Sequence, residues 1–170
     1  VTSGAINLPD HLNTLTPPDR RNGIISPSAS VTIVTFEDYE CEACAYNHKI
    51  LKQLRNKYLG RVNFIFRHYP LIDQHPNALK AALAVEAAAE RGQFIQKHDE
   101  LLENQSLVAN LVEPANSENL LTKIRQYEAD AKKLGVEGTP TTFVNGRNLG
   151  YVTDLETISK EIEKDILPVS

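Results

Sequence analysis

Patterned blocks of apolar and polar residues divide the chain into an irregular opening, a strand, helix, strand unit, a helical middle and a return to strands. Residues 1 to about 30 show no strand or helix period and are rich in Pro, Asn, Ser and Thr, as in Thr16-Pro17-Pro18-Asp19 and Ser26-Pro27-Ser28, which predicts an N-terminal arm or tether. The β-branched run Val31 to Phe36 predicts a strand with Ile33 and Phe36 partly buried. Apolar residues then fall at Ala43, Tyr46, Ile50, Leu54 and Tyr58, a helical spacing closed by Gly60, and Val62 to Phe66 reads as the next strand. A strand, helix, strand unit of this kind makes a parallel pair wound right-handed.

The middle of the chain is helical. Pro76 opens an Ala-rich segment that ends at Gly92, a second helix runs from Phe94 to about Leu102, and Ser117 with Leu120, Leu121, Ile124 and Tyr127 marks a third, ended by Gly135. Between Gln105 and Ser117 the sequence offers a polar stretch with Pro114 and no further helix. Thr141 to Val144, the turn pair Asn145-Gly146 and a strand of roughly Asn148 to Val152 form a hairpin. Asp154 then caps a last helix carrying Leu155, Ile158, Ile162 and Ile166. The Ala-rich segment is simplest as a close-packed core element.

Composition narrows the function classes. The 170 residues carry a net charge of −4 with no basic run that could track a phosphate backbone, which argues against nucleic acid as a partner. The longest unbroken apolar run, Ala81 to Val85, is far short of the roughly 20 residues that span a bilayer. No Met is present and the numbering opens at Val1, so the expected history includes removal of a signal peptide or membrane anchor.

Only two cysteines occur, in Cys41-Glu42-Ala43-Cys44, between the first strand and its helix. Cys41 therefore falls near the helix N-cap, where free N–H groups and the helix dipole favour a thiolate, and Cys44 falls in the first turn on the inward side. This is the pattern of an attacked thiol and a resolving thiol. The competing assignments are weaker: a zinc site from Cys41, Cys44 and His48 lacks a second cysteine pair, and an inert disulfide would close too short a loop to constrain much chain. No metal and no cofactor is expected. Gly135-Val136-Glu137-Gly138-Thr139-Pro140-Thr141 sets a proline just before a strand, after glycines, a context open to a cis peptide bond.

Three separated motifs, Phe36 to Cys44, Phe66-Arg67-His68-Tyr69-Pro70-Leu71 and Gly138 to Gly146, occur in the order found in the DsbA-like branch of the thioredoxin superfamily, which the chain resembles over about residues 31 to 166. The resemblance implies an α/β thioredoxin fold with an inserted helical subdomain: residues 31 to 69 and 135 to 170 as the thioredoxin-like part, 70 to 134 as the insertion. It implies that Cys41 is the attacking and attacked sulfur, that Cys44 resolves, and that Thr139 and a cis Pro140 line the substrate groove. It further implies an extracytoplasmic, periplasmic oxidase of exported proteins, soluble or tethered through a removed segment, and reoxidised by a quinone-linked membrane partner of the DsbB or vitamin K epoxide reductase type; the sequence leaves the oligomeric state open, with a monomer favoured. A disulfide reductase or isomerase, and a non-catalytic peptide-binding module, are the alternatives.

The chain departs from that family in ways that bear on its chemistry. The buried acid that many relatives carry six residues before the first cysteine is Thr35 here, and Glu37, two residues on along the same strand face, is either its substitute or a solvated side chain. Glu42 and Ala43 replace the His-containing dipeptide of strong oxidases, and with Asp38 and Glu40 nearby the active site is expected to be locally acidic. His48 is expected at the rim and solvated, and His68 and His75 in a loop, at the surface or hydrogen-bonded.

Overall fold

A computed structural model describes residues 22–151 and 154–168. Within the arm predicted from the opening sequence, residues 1–21 lie outside this range.

Five strands form one sheet in the order β1-β3-β2-β4-β5: β1 Gly23–Ile24, β2 Val31–Glu37, β3 Val62–His68, β4 Thr141–Val144 and β5 Arg147–Asn148. β2 pairs parallel with β3 and antiparallel with β4. The parallel pair is joined by helix α1, Glu42–Lys57. All seven residues of β2 are buried, Ile33 and Phe36 completely, so the expected partial burial is corrected. A central strand covered on both faces loses its polar alternation, and the threonines of β2 are in the interior. Val31 and Ile33 pack with Phe64 and Phe66 on the α1 face, while Val34 and Phe36 pack with Ile65 and Phe143 on the other.

β1 lies inside the stretch expected to be irregular. It is two residues long, too short for a period to show, and it pairs antiparallel with β3. Gly23 is required there, because a Cβ would meet the Phe64 carbonyl oxygen at 2.2 Å.

The insertion contributes α2 Ala78–Glu90, α3 Phe94–Glu103 and α4 Glu118–Lys133. Small buried residues of α2, among them Ala81, Ala82, Ala88 and Ala89, let its neighbours approach closely. A 3-10 turn, Gln105–Asn110, occupies part of the stretch in which no helix was expected. Glu86 of α2 is 1% exposed and binds His68 Nε2 at 2.7 Å, Lys123 Nζ at 2.6 Å and the Asn22 amide, so one carboxylate joins β3, α4 and the residue before β1.

Asn145 and Gly146 take φ of +44° and +78°, the left-handed pair that a two-residue hairpin turn needs, and link β4 to β5. β5 is shorter than expected: Leu149 to Tyr151 lie beyond it, and Val152 is outside the described residues. Asp154 caps α5, Leu155–Glu163, accepting from the Thr157 N–H at 2.7 Å, and Ile158 and Ile162 are its buried stripe; Ile166 follows the helix. Among the described residues no helix is long and apolar enough to cross a membrane.

Candidate active site

The end of β2 and the start of α1 deliver the cysteines. Cys41 is the α1 N-cap, with extended backbone (φ −75°, ψ 114°), and its sulfur accepts the Cys44 N–H at 3.3 Å. Both thiols are free. The geometry treats them oppositely. The Cys41 thiol is held down to about 6 by the hydrogen bond from the Cys44 thiol, against the upward push of burial, with further help from Thr139 and the Cys44 N–H; the Asp38 charge opposes them. Burial pushes the Cys44 thiol well above its ordinary value, and Cys41 and Glu37 add to the push. Cys44 is fully buried and Cys41 7% exposed. Such a pair has one sulfur ready to act as thiolate near neutral pH and one that stays protonated until something takes its proton.

The loop before β4 meets the cysteines from the other side of the site. The Thr139–Pro140 bond is cis, and the Thr139 carbonyl accepts from the Cys41 thiol at 3.5 Å. An open cleft of about 600 Å³ runs past both residues and is lined also by Glu137, Asn148 and Tyr151.

The acidity expected around the site is reduced by internal bonding. Asp38 is buried and accepts from His75 Nδ1, the Leu71 N–H and the Glu40 N–H, each at 2.8 Å. Glu40 accepts from the Asn77 N–H at 2.7 Å and from its side chain at 3.1 Å, which ties the site to the start of α2. Only Glu42 of the three is exposed; Ala43 beside it is half-buried against the core. Burial alone would lower the His75 imidazole, but the Asp38 bond and charge raise it.

A buried polar cluster lies at the end of β2. Glu37 is 1% exposed, so a solvated Glu37 is excluded; its Oε2 meets His98 Nε2 of α3 at 2.7 Å, and its Oε1 has no hydrogen-bond partner. His98 Nδ1 lies 2.9 Å from Asp99 Oδ1, and Arg55 binds both Asp99 oxygens at 3.0 Å. His48 is 1% exposed, which corrects its expected solvation, and its Nε2 meets Glu103 Oε1 at 3.1 Å. Burial lowers its imidazole. Donor atoms of His48, His98 and Asp99 come within 4.8 Å of one another, but the Arg55 guanidinium already holds Asp99, so the trio is a charge network rather than a cation site. His68 is likewise buried, as the last residue of β3 rather than in a loop. Thr35 is fully buried and its hydroxyl has no partner.

Two residues here escaped the sequence analysis. His98 sits on the apolar stripe of α3 with Phe94, Leu101 and Leu102, and a histidine at an apolar position was the available signal. Gln105 donates through Nε2 to the Tyr39 and Cys41 carbonyls, both at 2.9 Å, and clamps the turn that carries Cys41. Nothing local marks that role. The α1 stripe was also misjudged. Its buried residues are Cys44, Asn47, His48, Leu51 and Leu54, and Tyr46 is 56% exposed. Polar groups at 44, 47 and 48 hid the true face.

A model of the thioredoxin family matches residues 22–164. The chain is 36% identical over 161 residues to the Na(+)/H(+) antiporter NhaA 3 of Salinispora tropica and 34% identical to NhaA 1 of Salinispora arenicola. Each match covers 85% of this chain and 24% of the antiporter, so the chain spans about a quarter of the length of these relatives. Among solved structures it is similar to alpha-DsbA1 of Wolbachia pipientis, with a TM-score of 0.73, 21% identity and coverage of 89% of this chain and 94% of that one. It is also similar to BdbD of Bacillus subtilis in its oxidised form, with a TM-score of 0.69, 24% identity and coverage of 86% and 94%. The shared architecture is a thioredoxin fold with extra helices between its strands.

Proposed function

The chain belongs to the thioredoxin family, and from that membership and its closely spaced cysteines we propose that it is an extracytoplasmic thiol-disulfide oxidase of exported proteins. The observation that carries the proposal is the asymmetry at Cys41-Glu42-Ala43-Cys44, where the capping thiol is held down to about 6 and its partner is buried and pushed up. A substrate thiolate attacks Cys41 of the Cys41–Cys44 disulfide, Cys44 departs, and the substrate's second thiol attacks its own sulfur in the mixed disulfide. Cys41 then leaves as a stabilised thiolate, and the electron pair stays on the dithiol. The cleft past Thr139 and Pro140 would seat an extended substrate segment, with Thr139 backbone pairing to it as an added strand. Reoxidation falls to a quinone-linked membrane enzyme of the DsbB or vitamin K epoxide reductase type.

The test is to mix the oxidised protein with a reduced peptide carrying two thiols, then to equilibrate the protein with glutathione. Disulfide formation in the peptide, lost in Cys41→Ser, with a potential above about −200 mV, supports the oxidase; one near the thioredoxin value of about −270 mV makes the protein a reductase. No exchange at all leaves a peptide-binding module. A second reading, that the domain serves a sodium/proton antiporter, is favoured by the antiporter relatives that contain a matching segment. Ion-exchange rates in vesicles holding such an antiporter would then change with the redox state of Cys41 and Cys44.

A further inference from the structure

The cleft beside Cys41 carries a charge that the exchange chemistry does not use. Thr139, whose carbonyl meets the Cys41 thiol, lines it together with Glu137 and Tyr151. Among the described residues that line the cleft, Glu137 is the one with a charged side chain. It is exposed, and among the described residues it has no hydrogen bond or ion pair. Glu42, the first residue of α1 and the neighbour of Cys41, is exposed and unpaired in the same sense. Asp38 and Glu40, just before Cys41, are by contrast held by backbone and side-chain donors. Tyr151 is 66% exposed, and no cation of the described residues stacks on its ring.

We infer that this cleft selects substrate segments in which a lysine or arginine flanks the cysteine that attacks Cys41, and that Glu137, Tyr151 and Glu42 are the residues that recognise it. This specificity rests on the disulfide-exchange function proposed above and names the class of polypeptide on which that function acts. The three residues determine specificity and take no part in bond exchange.

The incoming sulfur reacts as a thiolate, so it reaches Cys41 as an anion in the neighbourhood of two unpaired carboxylates that oppose it. A basic side chain close to that sulfur offsets the repulsion and gives the carboxylates a counter-charge. Glu137 is two residues from Thr139. An extended segment paired beside Thr139 rises about 3.3 Å per residue, so a side chain one or two positions from the reacting cysteine comes level with Glu137. The Tyr151 ring offers an ammonium or guanidinium its π face at the same cleft. An acidic flank would meet like charge, and an apolar flank would use the ring alone, so the ranking of substrates is set by repulsion as well as attraction.

The experiment uses the oxidised protein and three reduced peptides, each with two cysteines, that differ only in the residues on either side of the first cysteine: lysine, norleucine or glutamate. A flanking charge also changes the peptide's own thiol, so each kcat/KM is divided by that peptide's rate with the neutral disulfide of 2-mercaptoethanol. At an ionic strength of about 20 mM the corrected rate for the lysine peptide should exceed that for the glutamate peptide about tenfold and that for the norleucine peptide about threefold. At about 0.5 M salt the first ratio should shrink to about twofold, because exposed charges are then screened within a few ångströms. Glu137→Gln should cut the lysine-to-glutamate ratio about threefold, and Glu137→Lys should bring it to about one or below. Tyr151→Leu should lower the lysine-to-norleucine ratio about twofold. Glu137 is exposed and unbonded, so its substitution leaves the fold intact. A norleucine peptide that reacts as fast as the lysine peptide or faster overturns the inference, as does a lysine-to-glutamate ratio that Glu137→Gln leaves unchanged. Oxidation of all three peptides alike likewise refutes the specificity and leaves the exchange function standing, whereas a wild type that oxidises none of them overturns the exchange function itself.

Discussion

Replacing Cys44 with alanine tests why Cys41 is acidic. The largest influence on the Cys41 thiol is the hydrogen bond from the Cys44 side chain, followed by burial, which opposes it, and then by Thr139 and the Cys44 N–H. Alanine removes the first and leaves the N–H at 3.3 Å and the helix start in place. A hydrogen bond to a charged acceptor is worth about 1.5 kcal/mol at the low end, or roughly one pH unit, so the Cys41 midpoint should rise from about 6 to about 7. At pH 6 the thiolate fraction then falls from about one half to about one tenth, a fivefold drop in alkylation rate, whereas above pH 8 the two proteins react alike. Cys44→Ser, which keeps a hydroxyl donor, should stay near the wild-type midpoint. The assay is iodoacetamide labelling across pH 4.5 to 9, with thiolate absorbance near 240 nm as a check. An alanine variant still titrating at about 6 would refute the argument and transfer the acidity to the helix N-terminus. The wild-type value also sets the redox contribution: at pH 7 a thiol at about 6 rather than 9 stabilises the reduced form by about 1.4 kcal/mol, which raises the potential by about 30 mV.

Thr35→Val should raise unfolding stability by about 1 kcal/mol in urea titration, because it removes a buried hydroxyl that has no partner. A loss of stability would mean that the hydroxyl is satisfied in solution. Glu86→Ala strands His68 and Lys123 and should cost about 3 kcal/mol in the same assay. Burial alone would raise the Glu86 carboxyl, but His68 and Lys123 hold it at about 2; being depressed, it supplies stability that is complete above about pH 4.5 and lost as pH falls towards 2, so the wild type should lose more stability across that window than Glu86→Gln does. Gln105→Ala frees the Tyr39 and Cys41 carbonyls and should slow peptide oxidation about threefold to tenfold with little change in the Cys41 midpoint, read from steady-state rates and labelling.

The fold was legible where local pattern and tertiary environment agree. The β2, α1, β3 order, the Asn145-Gly146 turn and the Asp154 cap each rest on a residue whose own backbone or side chain enforces them, and each is present. Cys41 at the N-cap was legible for the same reason, since a strand end followed by a helical run fixes the cap to within a residue or two. What stayed hidden depends on contacts distant in sequence. β1 exists because Gly23 lets two backbones approach, and Gln105 matters because it reaches 64 residues back to Cys41. The α1 face was misread because its core side is filled by a thiol, an amide and an imidazole, which hydrophobic periodicity cannot see.

The exchange of Thr35 and Glu37 between the roles of spacer and acid has a physical reading. Side chains two apart on a strand share a face but lie about 6.6 Å apart along it, so placing the acid at 37 moves it from the middle of β2 to the end that meets the cysteines. There it is fully enclosed, and burying a charged group is costly unless it is paired. His98 supplies the partner from α3, and Asp99 with Arg55 balances the charge that His98 brings. Thr35 keeps only its shape, packed beside Thr142 across the β2–β4 pair with both hydroxyls unpartnered. The inserted helices therefore do more than cover the sheet: α3 supplies the hydrogen-bond partner of the acid at position 37, and the turn after it holds the Cys41 backbone through Gln105. A chain with the acid at position 35 would need no histidine at position 98 for this purpose. Transplanting the acid, as Thr35→Glu with Glu37→Ser, should accordingly reduce the stability that His98→Gln costs in urea titration, and an unchanged cost in that background would show that His98 serves the packing of α3 rather than its pairing with Glu37.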